Sequence, residues 1–373
     1  MSAKTGIEWT DATWNPIRGC SRVSEGCRNC YAETRANRFC GPGQPYEGLI
    51  QIGADGKGNG KWSGQIRFVE EHLFDPLRCK KPRRIFVNSM SDLFHENVTD
   101  EMLDKIFAVM ALCPQHTFQV LTKRPERMSR YLSGDYGEGR IRISRNCIGA
   151  EAVRLYDVVH AKRLVDPRSQ YGWPLPNVHL GVSVEDQPSA DKRIPLLLQT
   201  PAAVRFISAE PLVWELKLLW KWVSKGHPFG GGPMVNLNEP WADPKEIPGL
   251  DWVIVGGESG PGARPMHPDW ARSLRDQCVA AGVPFFFKQW GEWLGTETVA
   301  TERGWRLNTQ CGIPLHAMNL TKIRKWDGDV CRTASENETT DSFMGAGSKL
   351  SFLVGKKAAG RLLDGREWNE MVN

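Results

Sequence analysis

The sequence predicts an α/β protein built as a partial or full (β/α) barrel of parallel strands, with loop insertions and a C-terminal extension. Three observations predict it. From residue 83 onward six short apolar runs recur, with helical patterns between them. The runs show little of the every-second-residue alternation of a half-exposed strand, as expected of parallel strands covered on both faces. Every run also ends in polar residues, which a barrel gathers into one mouth at the carboxyl ends of its strands, whereas an open doubly wound sheet uses mainly its switch point.

In chain order the runs are RRIFVNSMSD (83–92), TFQVLTKR (117–124), NVHLGVSVE (177–185), AVRFISAEP (203–211), DWVIVGGES (251–259) and VPFFFKQWG (283–291). Thr99 is a natural N-cap for DEMLDKIFAVMALC, which sets Met102, Ile106, Phe107 and Met110 on one stripe behind an acidic first turn. Pro268 opens a second helix, with Trp270, Leu274, Cys278 and Ala281 along one side and Gly282 as its stop. Strand, helix and parallel strand make the βαβ unit, and its repetition builds the barrel. Residues 41–65 read as a Gly-rich loop, and residues 133–176 and 212–250 as insertions. The second insertion holds an apolar WELKLLWKWV piece followed by GGGP. From about residue 292 the strand–helix rhythm is lost. The segment 356–371 reads as a helix, a tight turn at Asp364-Gly365 and a second short helix. The domains expected are a barrel with an N-terminal cysteine loop over 1–295 and an extension over 296–373.

The chain has 373 residues, 40% of them hydrophobic and 24% charged, which excludes collagen-like, disordered and coiled-coil classes. No apolar stretch is long enough to span a membrane, and the first residues lack the apolar run of a secretory signal, so a cytoplasmic protein without a membrane partner is expected. Lys and Arg number 48 against 43 Asp and Glu, a balance that permits a nucleic-acid partner without requiring one. Ten cysteines are too many to ignore in a chain too large to need disulfides. Cys79, Cys113, Cys147, Cys278, Cys311 and Cys331 are scattered and read as packing residues. Cys20, Cys27, Cys30 and Cys40 are crowded together.

TWNPIRGCSRVSEGCRNCYAE carries Cys20-x6-Cys27-x2-Cys30. A C-x2-C pair brings two thiolates to one metal or cluster from a single turn, and a third cysteine can close around it. Gly19 and Gly26 each precede a cysteine, where a wrapping backbone benefits from permissive φ. A structural zinc would need a fourth ligand, Cys40 or a histidine, whereas a cube held by three thiolates leaves one iron open to an exogenous ligand.

Three N-terminal cysteines on a loop, followed by a β/α barrel with polar strand ends, resemble the radical S-adenosylmethionine (SAM) superfamily over roughly residues 10–295. The usual superfamily motif is C-x3-C-x2-C with an aromatic residue before the third cysteine; here the first spacing is x6, and Asn29 precedes Cys30 with Tyr31 after it. The strings EWTDATWNP, GCSRVSEGCRNCYAE, VNSMSDLFHE, LTKRPERM, GVSVEDQ, ISAEPL, VGGESGPGARPM and FKQWGEW are similar nearly end to end to an uncharacterised phage and bacterial family with this three-cysteine motif. The resemblance implies that Cys20, Cys27 and Cys30 ligate a [4Fe–4S] cluster. It also implies that SAM binds the open iron and is reduced to release a 5′-deoxyadenosyl radical. Ser183, Glu185, Ser208 and Glu210 suit the SAM ammonium and ribose, and Lys123 or Arg124 suits its carboxylate. Gly256-Gly257-Glu258 resembles the superfamily's Gly-Gly-Glu segment, on a later strand than usual.

Asp92 and His95 in SMSDLFHE are acid/base candidates at the mouth, beside the plainer readings of a capping Asp and a surface His. Lys288, before Gln289, is a catalytic or anion-binding candidate, beside that of a snorkelling lysine. Trp9, Trp14, Trp290 and Trp293 suit either base stacking or packing, and Lys356, Lys357, Arg361 and Arg366 suit phosphate or plain solvation. The function expected is a radical-SAM-type lyase, isomerase or transferase that modifies a nucleic-acid base or nucleotide, with thymine hypermodification in phage DNA as one case. A flavodoxin- or ferredoxin-like electron donor and a partner protein are its expected helpers. The alternatives are a non-catalytic nucleic-acid-binding protein with a structural zinc at Cys20, Cys27, Cys30 and Cys40, and a repair enzyme resembling spore photoproduct lyase.

Overall fold

The structure is a computed structural model that describes residues 5–52, 60–133, 174–223, 249–301, 304–309, 323–327, 330–333 and 349–372. Most of the two expected insertions, Cys147 and Cys311 lie outside the described residues. No helix among the described residues is long and apolar enough to cross a membrane.

All six apolar runs are strands. With a short strand before them they form a seven-stranded sheet: β1 (Ala12–Trp14), β2 (Arg84–Val87), β3 (Thr117–Thr122), β4 (Val178–Ser183), β5 (Val204–Ala209), β6 (Trp252–Gly256) and β7 (Phe285–Gln289). Their order in the sheet is their order in the sequence. A doubly wound sheet would reverse direction at a switch point; here each strand is laid beside its predecessor. Sequential parallel strands with helices between them follow the winding of a (β/α) barrel. The strand list ends at β1 and β7, so the winding is that of a partial barrel. The helices are α1 (Tyr31–Asn37), α2 (Asp100–Ala111), α3 (Pro125–Ser133), α4 (Gln187–Gln199) and α5 (Pro268–Ala281). Thr99 caps α2 by accepting from the Met102 amide, and Gly282 ends α5 in the left-handed conformation (φ 67).

The chain divides into two compact units, residues 1–183 with 192–206, and residues 184–191 with 207–373. In the first, the register of β2, β3 and β4 sorts residues onto two faces. Ile85, Phe118 and Val178 share one row and Val87, Val120 and Leu180 another, all apolar; between them Phe86, Gln119 and His179 share a row on the opposite face. There Trp9 meets Phe86 in a tilted arrangement (4.8 Å between centroids), and its carbonyl accepts from the Gln119 side-chain amide at 3.3 Å. Cys113 is buried and Cys79 half-buried, as packing residues should be; Cys278, in the second unit, is also buried.

In the second unit, residues beyond 292 form an antiparallel sheet that the sequence does not announce. Its strands are β8 (Trp293–Thr301), β9 (Gly304–Thr309), β10 (Ile323–Asp327), β11 (Val330–Thr333) and β12 (Lys349–Leu353), in the order β9-β8-β12-β10-β11. Cys331 belongs to β11. The tail departs from expectation in one respect. After a helical turn at Lys356–Ala359, Asp364 and Gly365 do make the tight turn, both with positive φ, but no second helix follows. Residues 368–370 run extended and antiparallel to β7, with the Phe287 amide donating to the Trp368 carbonyl (2.9 Å) and the Glu370 amide to that of Phe285 (3.3 Å). Unpaired backbone groups on the edge of β7 outweigh the weak local preference for helix.

Candidate metal and cofactor site

The cysteine loop in the first unit begins where β1 ends. Asn15 accepts from the Ser89 hydroxyl (3.2 Å) and the Met90 amide (3.0 Å), and Ser91 donates to the Ile17 carbonyl (2.9 Å). Gly19 bridges Ser91 in parallel, and the Tyr31 hydroxyl donates to the Ser89 carbonyl at 2.6 Å. The loop is thus fastened to the turn that follows β2, at the carboxyl end of the strands. Gly19 is required twice over: its φ is 93°, and a Cβ would stand 2.2 Å from the Gln65 carbonyl oxygen. Gly26 does not use the permissive φ expected of it; it lies inside a 3₁₀ turn, Glu25–Cys27.

Two arginines hold the loop. Arg124, just after β3, donates through Nη1 to Asp92 (3.1 Å) and through Nε to Glu96 (2.9 Å). Its Nη2 donates to the Ser21 carbonyl (3.1 Å) and hydroxyl (2.6 Å), and its Nη1 lies 3.9 Å from the Cys20 sulfur. Burial opposes the Arg124 charge, yet Asp92, Cys20 and Glu96 together raise its pKa above the ordinary arginine value. On the other side Arg22 forms a forked pair with Glu33 of α1, and Glu33 also accepts from the Trp62 amide (2.9 Å). Arg22, Glu33, Ser21 and Glu96 carry no motif signal, because their pairings span 11 to 103 residues of sequence.

Asp92 is no free acid or base. Its buried carboxylate accepts from the Phe94 amide (3.0 Å), the Thr122 hydroxyl (2.7 Å), the Lys123 amide (3.0 Å) and Arg124. It ties the turn after β2 to the end of β3. His95 is fully buried rather than on the surface. Its Nδ1 accepts from the Asn97 amide (3.2 Å), which leaves Nε2 to donate to the Ser21 hydroxyl (3.0 Å). Burial first, and then the Arg124 charge, lower its pKa and keep the ring neutral.

The three thiols are half-buried and unpaired by disulfide. Burial pushes Cys20 up to about 12, with further upward contributions from Asp92, Cys30 and Cys27, and burial also raises Cys30, which feels the Cys27 charge. The three sulfurs therefore lie within range of one another's charge. They do not converge: among the described residues no three His, Cys, Asp or Glu side chains are gathered closely enough to hold an ion. The Cys40 thiol donates to the Asn37 carbonyl at the end of α1 (3.2 Å), and Cys40 packs against the same apolar cluster as Cys20 and Cys30.

The remaining candidates fall at strand ends. Ser183 closes β4 in the first unit, and its carbonyl accepts from Arg193 (2.8 Å). In the second unit Glu185 is buried, and its carbonyl accepts from the Val213 amide (3.0 Å). Ser208 donates to Glu210 (2.9 Å), and the other Glu210 oxygen pairs with Lys288 Nζ at 2.8 Å. Gly256 makes room for that pair, since a Cβ there would stand 2.5 Å from Glu210 Oε1. Gly257 is equally constrained, 2.0 Å from the Trp290 carbonyl. Glu258 is clamped by Arg264, Nη2 at 2.7 Å from one oxygen, Nε at 3.0 Å and the amide at 2.8 Å from the other. Arg264 was legible: it stands six residues after Glu258 across a Gly- and Pro-rich turn. Trp9, Trp14, Trp290 and Trp293 are all buried and so pack rather than stack on a ligand. In the basic tail cluster, Arg361 lies over the Phe286 ring and Arg366 over Trp368.

No curated protein and no solved structure matches this chain. One family model does, over residues 4–372, and the chain therefore belongs to the family described as "Protein of unknown function (DUF5131)".

Proposed function

We propose that this chain is an iron–sulfur enzyme of radical SAM type that modifies a nucleic-acid base or nucleotide. One observation carries the reading: the loop that holds Cys20, Cys27 and Cys30 is fastened to the carboxyl ends of parallel strands wound as a partial (β/α) barrel. Cys20, Cys27 and Cys30 are the residues that would hold a [4Fe–4S] cluster, whose chemistry is to supply one electron to SAM at the open iron. Arg124 fixes Cys20 and Ser21 relative to the end of β3, and Arg22 with Glu33 fixes the segment leading to Cys27. Arg–carboxylate pairs suit this work, because a planar fork sets orientation as well as distance.

The test is metal and sulfide analysis of anaerobically prepared protein. The expected result is about four irons and four sulfides per chain, lost in Cys27→Ala and kept in Cys40→Ala. Reductant and SAM should then yield 5′-deoxyadenosine. One zinc per chain, retained only while Cys40 is present, would overturn the proposal.

A further inference from the structure

We infer that the solvent face of α1, together with the arginines beside the cysteine loop, is a docking strip for single-stranded nucleic acid. The base chemistry at its end rests on the function proposed above; the strip itself does not. Between residues 18 and 38 there are five arginines, Arg18, Arg22, Arg28, Arg35 and Arg38, against two glutamates, in a chain whose 48 basic and 43 acidic residues nearly balance. Glu33 is already engaged by Arg22, and Glu25 pairs loosely with Arg28 at 3.7 Å. The burial pattern of α1 separates its faces. Ala32, Glu33 and Ala36 are buried, while Tyr31, Arg35 and Arg38 are exposed. Positions 31, 35 and 38 fall on one stripe of an α-helix, so an aromatic ring and two guanidinium groups share a face immediately after Cys30.

A second observation points the same way. Val23, Tyr31, Phe39 and Ile52 are four of the seven large apolar side chains left exposed among the described residues, and all four lie near the cysteines in sequence. Tyr31 is 52% exposed although its hydroxyl is tied to the Ser89 carbonyl at 2.6 Å. The ring is anchored at the end of β2 with about half of its surface exposed. Anchored aromatics alternating with arginines bind single strands by stacking on bases and neutralising phosphates. Duplex recognition would instead need an element that enters a groove, and α1 has seven residues. An acidic protein partner would use the arginines but would have no need of the ring.

The experiment measures anisotropy of a labelled oligothymidylate of about 16 nucleotides against the full-length protein over a salt series, with iron counted on the same samples. The Arg35→Glu, Arg38→Glu double variant should bind at least about tenfold more weakly, with a log–log salt slope smaller by about 1.4, two contacts at roughly 0.7 each. Tyr31→Ala should lose about tenfold and Tyr31→Phe should keep parental affinity, since stacking needs the ring and not the hydroxyl. Both positions are exposed, and an unchanged circular dichroism spectrum and thermal midpoint exclude misfolding. Unchanged affinity in the double variant overturns the strip. So does displacement of the oligonucleotide by polyglutamate at equal charge concentration, which would mark the face as a site for acidic protein. Binding without iron would leave the strip standing and remove the cluster; iron without binding would do the reverse.

Discussion

At the end of β2 the backbone of Asn88 enters the left-handed region (φ 60), and its side chain, 2% exposed, makes no hydrogen bond at Oδ1 or Nδ2. An orphaned buried polar group costs about 1–3 kcal/mol, and left-handed backbone costs a further ~1 kcal/mol in most residues, less in Asn. Four residues on, Asp92 has four donors for its carboxylate. Two polar residues of one turn thus have opposite fates: Asp92 holds the framework, and Asn88 is a cost to it. Replacing Asn88 with Gly removes both orphans and suits the φ, against some loss from the freer unfolded chain. The ligand-free Asn88→Gly protein should melt at or above the parental temperature by differential scanning calorimetry. A fall of several degrees would show that the amide has a structural partner after all.

Elements were more legible than pairings. β2 to β7 announce themselves because strands covered on both faces are nearly continuous apolar runs, and α2 and α5 because Thr99, Pro268 and Gly282 punctuate them chemically. β1 is three residues, too short for any periodicity, and the residues beyond 292 lack the apolar runs that marked the earlier strands. The second tail helix was misread because the partner that decides its conformation, the edge of β7, is some 80 residues away. The same distance effect hides the site: polar strand ends are visible in sequence, but Arg124 finding Ser21 and Arg22 finding Glu33 are facts of tertiary structure. The tail turn offers a test at this scale. Asp364 accepts from Arg272 (2.9 Å) and from Arg275, one turn apart on α5. Burial works to raise its pKa, but the bonds to Arg275 and Arg272 outweigh it and hold the carboxyl below the usual aspartate range. A depressed native pKa contributes stability that is complete above the unfolded value of about 4 and fades as the pH falls through the native one. Asp364→Asn keeps the turn, since Asn also tolerates positive φ, and removes only the charge. The side chain is partly exposed, so the loss at pH 7 should be at most ~1 kcal/mol in a urea titration, shrinking toward zero near pH 2. A deficit as large at low pH as at neutral pH would refute the assignment to charge.

At the scale of the whole molecule, a partial barrel has a problem that a closed one lacks: two edge strands with unpaired backbone groups. β1 limits its exposure by being short. β7 is five residues with three consecutive phenylalanines, a sequence that invites pairing with another chain. The tail occupies that edge. Asn369 bridges Phe286, the Glu370 carboxylate accepts from the Phe285 amide (2.9 Å), and the Glu370 carbonyl accepts from Trp252 Nε1 (2.8 Å). Trp290 Nε1 donates to the Leu362 carbonyl (2.8 Å), and Trp368 meets Phe285 edge to face at 5.9 Å. The last residues of the chain are therefore part of the framework that carries Lys288, even though they lie beyond the strand–helix repeat. Ending the chain at Gly355 would strip the β7 edge, unpair the Trp252 and Trp290 indole N–H groups and expose Phe285, while leaving the cysteine loop and the candidate residues at the strand ends in place. The truncated protein should elute from size-exclusion chromatography as oligomers or aggregate at concentrations where the full chain does not, and its urea midpoint should fall. Arg272→Ala in the full-length chain, which loosens the tail without baring the edge, should lower the midpoint with no change of elution volume. If the truncated chain kept the full chain's elution behaviour and midpoint, the tail would be an appendage and the edge would be protected in some other way.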